Sequence, residues 1–354
     1  MKKLTALAIL SIALVACKKD TKTVTKIDPE TGKEITVEVP ATDSTTVENS
    51  AATIVEGPAI QENNGLYTQS FKLEKGQTYP LTTHQKNVQT MTGPDGKSMT
   101  GTSQSTDEMT FTVNDFKDGV YDITINLLGK SNSQTANGQT VSVSTSSGEP
   151  KDENLKMMWK INKALVGNKL QMKMKSNGEV ASIKGFEPIY TKVSTAASSM
   201  IKDATQRGEF VKGFKESFNE NTIKEQFTKN LLILPKAGAK VGQKWNETEN
   251  ASPDGSVKLT TTYTLTSVEN GVAKIAVSGG IPKKTDKQTQ EGVTRSLTSE
   301  LSQNGTVTLD QNTGWIKNQT VTVKSNQTET LSDGKQSQSV KSSSTATVTV
   351  NPQK

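Results

Sequence analysis

The chain has 354 residues, Lys+Arg 42 against Asp+Glu 36, one histidine, one cysteine and 5% aromatics, while Ser and Thr together number 83. A lone thiol excludes a disulfide framework, and one thiol with one imidazole cannot supply the three or four Cys/His ligands of an ordinary zinc site, so no metal or other cofactor is expected. The net charge of +6 is small for this length, and with two arginines in the whole chain the bidentate contacts of base and phosphate readers are nearly missing, so nucleic acid is not an expected partner.

The first element is a short basic region, Met1-Lys2-Lys3, followed by an apolar run from Leu4 to Ala16. As a helix that run reaches about 20 Å, too short for a bilayer and the right length for the core of a signal peptide. It ends Leu14-Val15-Ala16-Cys17, which resembles the lipobox of bacterial lipoproteins, where small residues before a cysteine admit the signal peptidase and the thiol becomes lipid-modified. The resemblance implies a signal peptide over 1–16, a lipidated Cys17 and a membrane partner met through acyl chains alone. A conventional signal peptide with an incidental cysteine is the alternative. Without Lys2 and Lys3 the chain keeps 40 basic against 36 acidic side chains, and no later stretch approaches the ~18 apolar residues of a membrane helix. Lys18-Lys19-Asp20 resembles part of the lysine-plus-acidic signal that sends some Bacteroidota lipoproteins to the cell surface. With one acid in it, both faces of the outer membrane stay open.

Residues 17–65 are rich in Thr, Glu, Lys and Pro, too poor in large apolar residues to offset chain entropy, and read as a flexible tether. Alternation from Glu34 to Val39 after Asp28-Pro29-Glu30-Thr31-Gly32 predicts a small hairpin there. Asp43-Ser44-Thr45 resembles the O-glycosylation sequon of Bacteroidota, which makes Ser44 a candidate acceptor.

From Phe71 onward, period-2 segments dominate: Met109–Val113, Val120–Ile125, Thr260–Leu265, Val272–Val277, Thr306–Leu309, Thr320–Val323 and Ala346–Val350. Thr and Val at alternate positions fit half-buried antiparallel strands. Asp118-Gly119 and Asn270-Gly271 favour tight hairpin turns. These segments repeat. Gly76-Gln77-Thr78-Tyr79 matches Gly242-Gln243-Lys244-Trp245. Phe111-Thr112-Val113, Asp118-Gly119-Val120 and Ile123-Thr124-Ile125 align without gaps with Tyr263-Thr264-Leu265, Asn270-Gly271-Val272 and Ile275-Ala276-Val277. Asn177-Gly178-Glu179-Val180 pairs with Thr313-Gly314-Trp315-Ile316. The common order of these blocks predicts an internal duplication.

Between the copies, residues 151–250 hold 12 Ser/Thr against 18 in 301–350. Val193, Ala197, Met200, Ile201 and Ala204 share one helical face, and Phe210, Val211, Phe214 and Phe218 share another. Thr222-Ile223-Lys224-Glu225 has capping-box spacing ahead of Phe227 and Leu231, and Pro235 ends the run. The stretch Leu155–Leu165 has no clear period. The expected architecture is mainly β, with two duplicated antiparallel β lobes (66–187 and 236–352) joined by a short helical insert (188–235).

The Leu-Glu-Lys-Gly-Gln-Thr-Tyr opening at 73–79, the stretch from Leu234-Pro235 to Val241-Gly242-Gln243-Lys244-Trp245, and Leu309-Asp310-Gln311-Asn312-Thr313-Gly314 resemble an uncharacterised family of Bacteroidota envelope lipoproteins. The resemblance covers most of the chain after residue 65. It implies an envelope lipoprotein and brings no assigned activity.

The candidate chemistry is sparse. His84 is the sole imidazole available as a base, and its strand-like polar surroundings favour a surface role. Ser199-Met200-Ile201-Lys202 has the Ser-x-x-Lys form of penicillin-binding proteins, but Lys-Thr-Gly is missing, and Ser332 with Lys335 shows how readily the spacing recurs. Two carboxylates close in space, as in a glycosidase, leave no sequence signature. Asp310–Gly314 looks like a calcium loop without the alternating acids, so a hairpin turn explains it better. Trp159, Trp245 and Trp315 fit core positions better than sugar-stacking ones. Residues 151–250 carry 17 Lys and one Arg against 11 acids, a surplus that could meet anionic headgroups or acidic glycans and that more often is a solvated face. The reading is a lipid-anchored envelope module of binding or structural type without enzymatic activity. Its rivals are a carrier of lipid or another hydrophobic ligand and a carboxylate-based hydrolase of envelope glycans.

Overall fold

The computed structural model describes residues 21–27, 34–40, 57–252 and 257–352. Strands β1 (Thr21–Ile27) and β2 (Glu34–Pro40) pair as an antiparallel hairpin, so the alternation over Glu34–Val39 does mark a strand. Cys17 and Ser44 lie outside the described residues. β3 (Ile60–Asn63) and β4 (Leu66–Gln69) form a second hairpin. The expected tether therefore ends earlier than residue 65: Ala59 and Ile60 are buried, because two apolar residues suffice to seat this segment in the core.

The remaining elements are β5 (Thr78–Thr92), β6 (Ser98–Lys117), β7 (Val120–Ala136), β8 (Gln139–Ser144), α1 (Glu153–Leu165), β9 (Lys169–Lys175), β10 (Val180–Lys184), α2 (Glu187–Met200), α3 (Ala204–Ser217), α4 (Glu220–Leu231), β11 (Lys244–Asn250), β12 (Lys258–Glu269), β13 (Val272–Gln290), β14 (Val293–Asp310), β15 (Ile316–Ser332) and β16 (Ser337–Val350). One antiparallel sheet runs β10-β9-β7-β6-β5-β16-β15-β14-β13-β12-β11, with β8 pairing the distal part of β7. Two compact units make up the description: β1 and β2 with 248–252 and 257–259, and 57–247 with 260–352.

The duplication is visible as repeated hydrogen bonding. Gly76 and Gly242 donate to the carbonyls of Val113 (2.8 Å) and Leu265 (2.7 Å), which in turn donate to Gln77 and Gln243. Strand irregularities fall at matching places, between Val113 and Asp115 and between Leu265 and Ser267. Asp118-Gly119 and Asn270-Gly271 make their hairpin turns with all four residues at positive φ, the conformation tight two-residue turns require. The strand order β5-β6-β7-β9-β10 in the first copy is β11-β12-β13-β14-β15 in the second, and β16 bridges the copies. The two copies are thus halves of one continuous sheet.

The helices cover one end of one face. Ile189, Val193, Phe214, Ile223, Phe227 and Leu231 join the core of inward-facing strand residues, and Phe111 meets Phe227 edge-on at 5.2 Å. Asn219 caps α4 by accepting from the Thr222 amide, so the helix starts before the expected Thr222 box, and Asp203 caps α3 by accepting from Gln206. The aperiodic stretch at 155–165 is α1, held by buried Ile161 and Ala164 and by the Trp159 indole donating to Ser144 and Ser147. At the β10 edge, Glu220 accepts the Ile183 amide and Lys224 donates to the Ala181 carbonyl, so α4 closes an edge that would otherwise invite pairing.

Candidate functional site

β6, β7, β13, β14 and β15 are 17 to 20 residues long, about 55–65 Å, yet their buried residues cluster at the helix-covered end. Beyond Leu81, Met109, Val277 and Val321 both faces of β5, β6 and β13–β16 are uncovered, while α1 still reaches β7 and β8 at Asn132, Val143 and Thr145. This distal half is the candidate site.

Its inner face, continuous with the core, is polar on β5 and β6, more apolar on β13–β16, where Ile281, Leu301, Val323, Ala346 and Val348 lie, and apolar at the rim. Gln85, Asn87, Ser103 and Ser105 stand side by side on β5 and β6. Lys130 pairs with Asp107, Arg295 with Glu329 (2.6 Å) and Lys284 with Asp286 (3.2 Å), so the charges of this face cancel locally. At the rim Met91, Met99, Val141, Val293, Leu331 and Val340, between 37% and 64% exposed, follow one another across neighbouring strands.

The outer face is a hydroxyl lattice. Register places His84, Lys86, Val88, Thr90 and Thr92 of β5 beside the Thr349, Thr347, Thr345, Ser343 and Lys341 side of β16, which lies beside Thr320, Thr322, Lys324, Asn326 and Thr328 of β15. Cross-strand hydroxyl pairs tie it together: Thr90–Thr100 (2.9 Å), Thr330–Ser339 (2.8 Å) and Thr285–Thr298 (2.8 Å). His84 belongs to this face, its Nδ1 3.0 Å from Thr106 Oγ1.

The other candidates fall elsewhere and are not brought together. Ser199 donates to the Ala196 carbonyl (2.7 Å), and the ammonium that reaches it is Lys160 (3.4 Å) rather than Lys202. Ser332 and Lys335 occupy the β15–β16 turn, where Asp333 accepts from the Lys335 and Gln336 amides. Asp310 is consumed by its own turn, accepting from the Asn312 and Thr313 amides, with Lys317 3.5 Å away. Trp315 is buried and donates to the Pro80 carbonyl. Trp245 is half-buried, stacked on Tyr263 at 5.6 Å, with its indole nitrogen buried and unpartnered.

Part of the lysine content of 151–250 is engaged by neighbouring groups. Lys173 pairs with Asp122 (2.6 Å), Lys175 with Glu179 (3.0 Å), and Lys163 and Lys224 hold carbonyls. The perturbed carboxyls are pushed down: Asp115 and Asp122 lie below the usual range chiefly because Lys75 and Lys173 donate to them, and Glu329 because Arg295 does. Sequence reasoning missed Lys86, Lys324 and Lys341. Their parity along each strand was visible, but which strands lie side by side was not.

A duplicated β protein built on one large antiparallel sheet, with helices over one end of one face, is the class this architecture defines. The chain belongs to the Family of unknown function (DUF6263), whose model matches residues 118–316. No curated relative matches it. Among solved structures, it is similar to one described as lipid-protein interactions in lipovitellin, at 12% identity and TM-score 0.35 over 78% of this chain and 25% of that one. It is also similar to an outer membrane channel from Pseudomonas putida F1 (8%, TM-score 0.16, 82% and 100%) and to OmpT, an outer membrane protein of Vibrio cholerae, with loop L8 deleted (8%, TM-score 0.13, 77% and 98%). The chain spans a quarter of the lipovitellin chain, and at these TM-scores the likenesses carry no argument about ligand or location.

Proposed function

We propose that the protein is a non-enzymatic binding module of the bacterial envelope, anchored by lipid on Cys17, with the distal half of its sheet as the working surface. The observation that carries this reading is that the distal parts of β5, β6 and β13–β16 are left uncovered on both faces. Replacing Cys17 with Ser tests the anchor: the protein should move from the membrane to the soluble fraction with its signal segment removed. A cleaved Cys17→Ser protein that stays on the membrane would contradict it.

The inner-face apolar rim favours a second reading, a carrier of a hydrophobic molecule. In that case lipid should co-purify with the protein and shield Met91 and Met99 from oxidation.

A further inference from the structure

The two faces of the distal sheet differ in charge, and that difference names a ligand class. On the inner face the charged groups pair off, as Lys130–Asp107 and Arg295–Glu329. On the outer face of the five central strands β6, β5, β16, β15 and β14 stand Lys86, Lys324 and Lys341, all exposed and none with an ion-pair or hydrogen-bond partner among the described residues. Two acids stand on that face in its uncovered part: Glu108 at its edge, opposite Thr82, and Glu300, which accepts from the Asn326 amide (3.0 Å). Resting on the reading of the distal sheet as a binding surface, we infer that its outer face binds a linear acidic polysaccharide, with the three lysines meeting its carboxylates and the surrounding Ser and Thr hydroxyls meeting its sugar hydroxyls.

Spacing selects a polymer over a small anion. Lys86 pairs in register with Thr347, and Thr347 with Thr322, so Lys324 lies two strands across and two residues along, about 12 Å away. Lys341 lies about 14 Å from Lys324 and about 20 Å from Lys86 by the same arithmetic. One small anion reaches one of these ammonium groups, whereas a chain laid along the strand direction over β5, β16 and β15 passes all three. Composition selects a sugar over a lipid surface or a nucleic acid. Val88 is the one apolar side chain on the outer face of β5, β16 and β15 between His84 and Thr92 and their partners, so little could insert into a bilayer. No Arg, Phe, Tyr or Trp lies there to grip phosphates and bases, and the His84 ring is held by Thr106.

The test titrates the full chain with polygalacturonate, a linear polyuronate, beside neutral dextran and vesicles containing phosphatidylglycerol. Binding to the polyuronate alone, weakening as salt rises from about 20 to about 300 mM, is expected. Lys86→Gln, Lys324→Gln and Lys341→Gln together should weaken it about 10-fold or more. Lys202→Gln, Lys236→Gln and Lys240→Gln, which remove the same charge away from the sheet, should leave it within about 2-fold. Equal losses in the two triple variants, no binding of polyuronate, or equal binding of the vesicles would overturn the inference and leave the anchored-module reading standing. Release of reducing ends from the polymer would instead sink the non-enzymatic reading itself.

Discussion

Gln69 sits where three parts of the chain meet. Its side-chain amide donates to the carbonyls of Leu231 (2.8 Å) and Gly314 (3.0 Å), and its oxygen accepts from the amides of Ile233 (2.9 Å) and Leu234 (3.0 Å), joining β4, the end of α4 and the β14–β15 turn. Gln69→Leu would strand four buried backbone groups, so we expect a loss of about 3 kcal/mol or more in urea unfolding. Tyr121 plays a similar part, donating to the Phe71 carbonyl (2.9 Å) and accepting from the Leu73 amide (3.1 Å). Burial pushes its hydroxyl above the ordinary tyrosine value. A raised pKa in the folded state means the stability it contributes is full below about pH 10 and is lost as pH rises through the higher folded value. Tyr121→Phe should therefore lower stability by about 1–3 kcal/mol at neutral pH and blunt the alkaline decline. Neither side chain announces itself in the sequence, because nothing local distinguishes a Gln or Tyr whose partners lie elsewhere along the chain.

At the level of elements, Gly178 and Gly314 show how the copies use equivalent turns. Both take positive φ, and a Cβ would meet the Phe71 ring at 2.7 Å in one and the Ser70 carbonyl at 2.0 Å in the other, because the 57–73 segment packs against both turns. Gly271 has positive φ but open space around it. Gly314→Ala should cost about 3 kcal/mol or more against about 1 kcal/mol for Gly271→Ala in the same unfolding assay, and equal costs would contradict the packing of that segment. Period-2 runs and Asx-Gly turns made the strands and hairpins legible, and the Ile223, Phe227 and Leu231 stripe made α4 legible. The start of α4 was misread because Asn219 and Thr222 both suit a cap, and α1 was hidden because its short stripe is anchored by Trp159 reaching the β8 end rather than by a regular face.

For the whole molecule, the repeat in sequence marks the repeat in structure, but its consequence was not readable. The sequence blocks read equally well as two separate lobes, and only β16, paired on one side with β15 and on the other with β5, fuses them into one sheet. That fusion places Lys86, Lys324 and Lys341, far apart in the chain, on one face. Helices secure one end of this sheet, so the uncovered half should open locally more easily than the core and should be steadied by whatever binds it. Amide hydrogen exchange of the full chain, alone and with polygalacturonate, tests this most directly. The account predicts slowed exchange in the distal parts of β5, β6, β15 and β16 and little change in α2–α4. Slowed exchange confined to the helices would place binding elsewhere and contradict it.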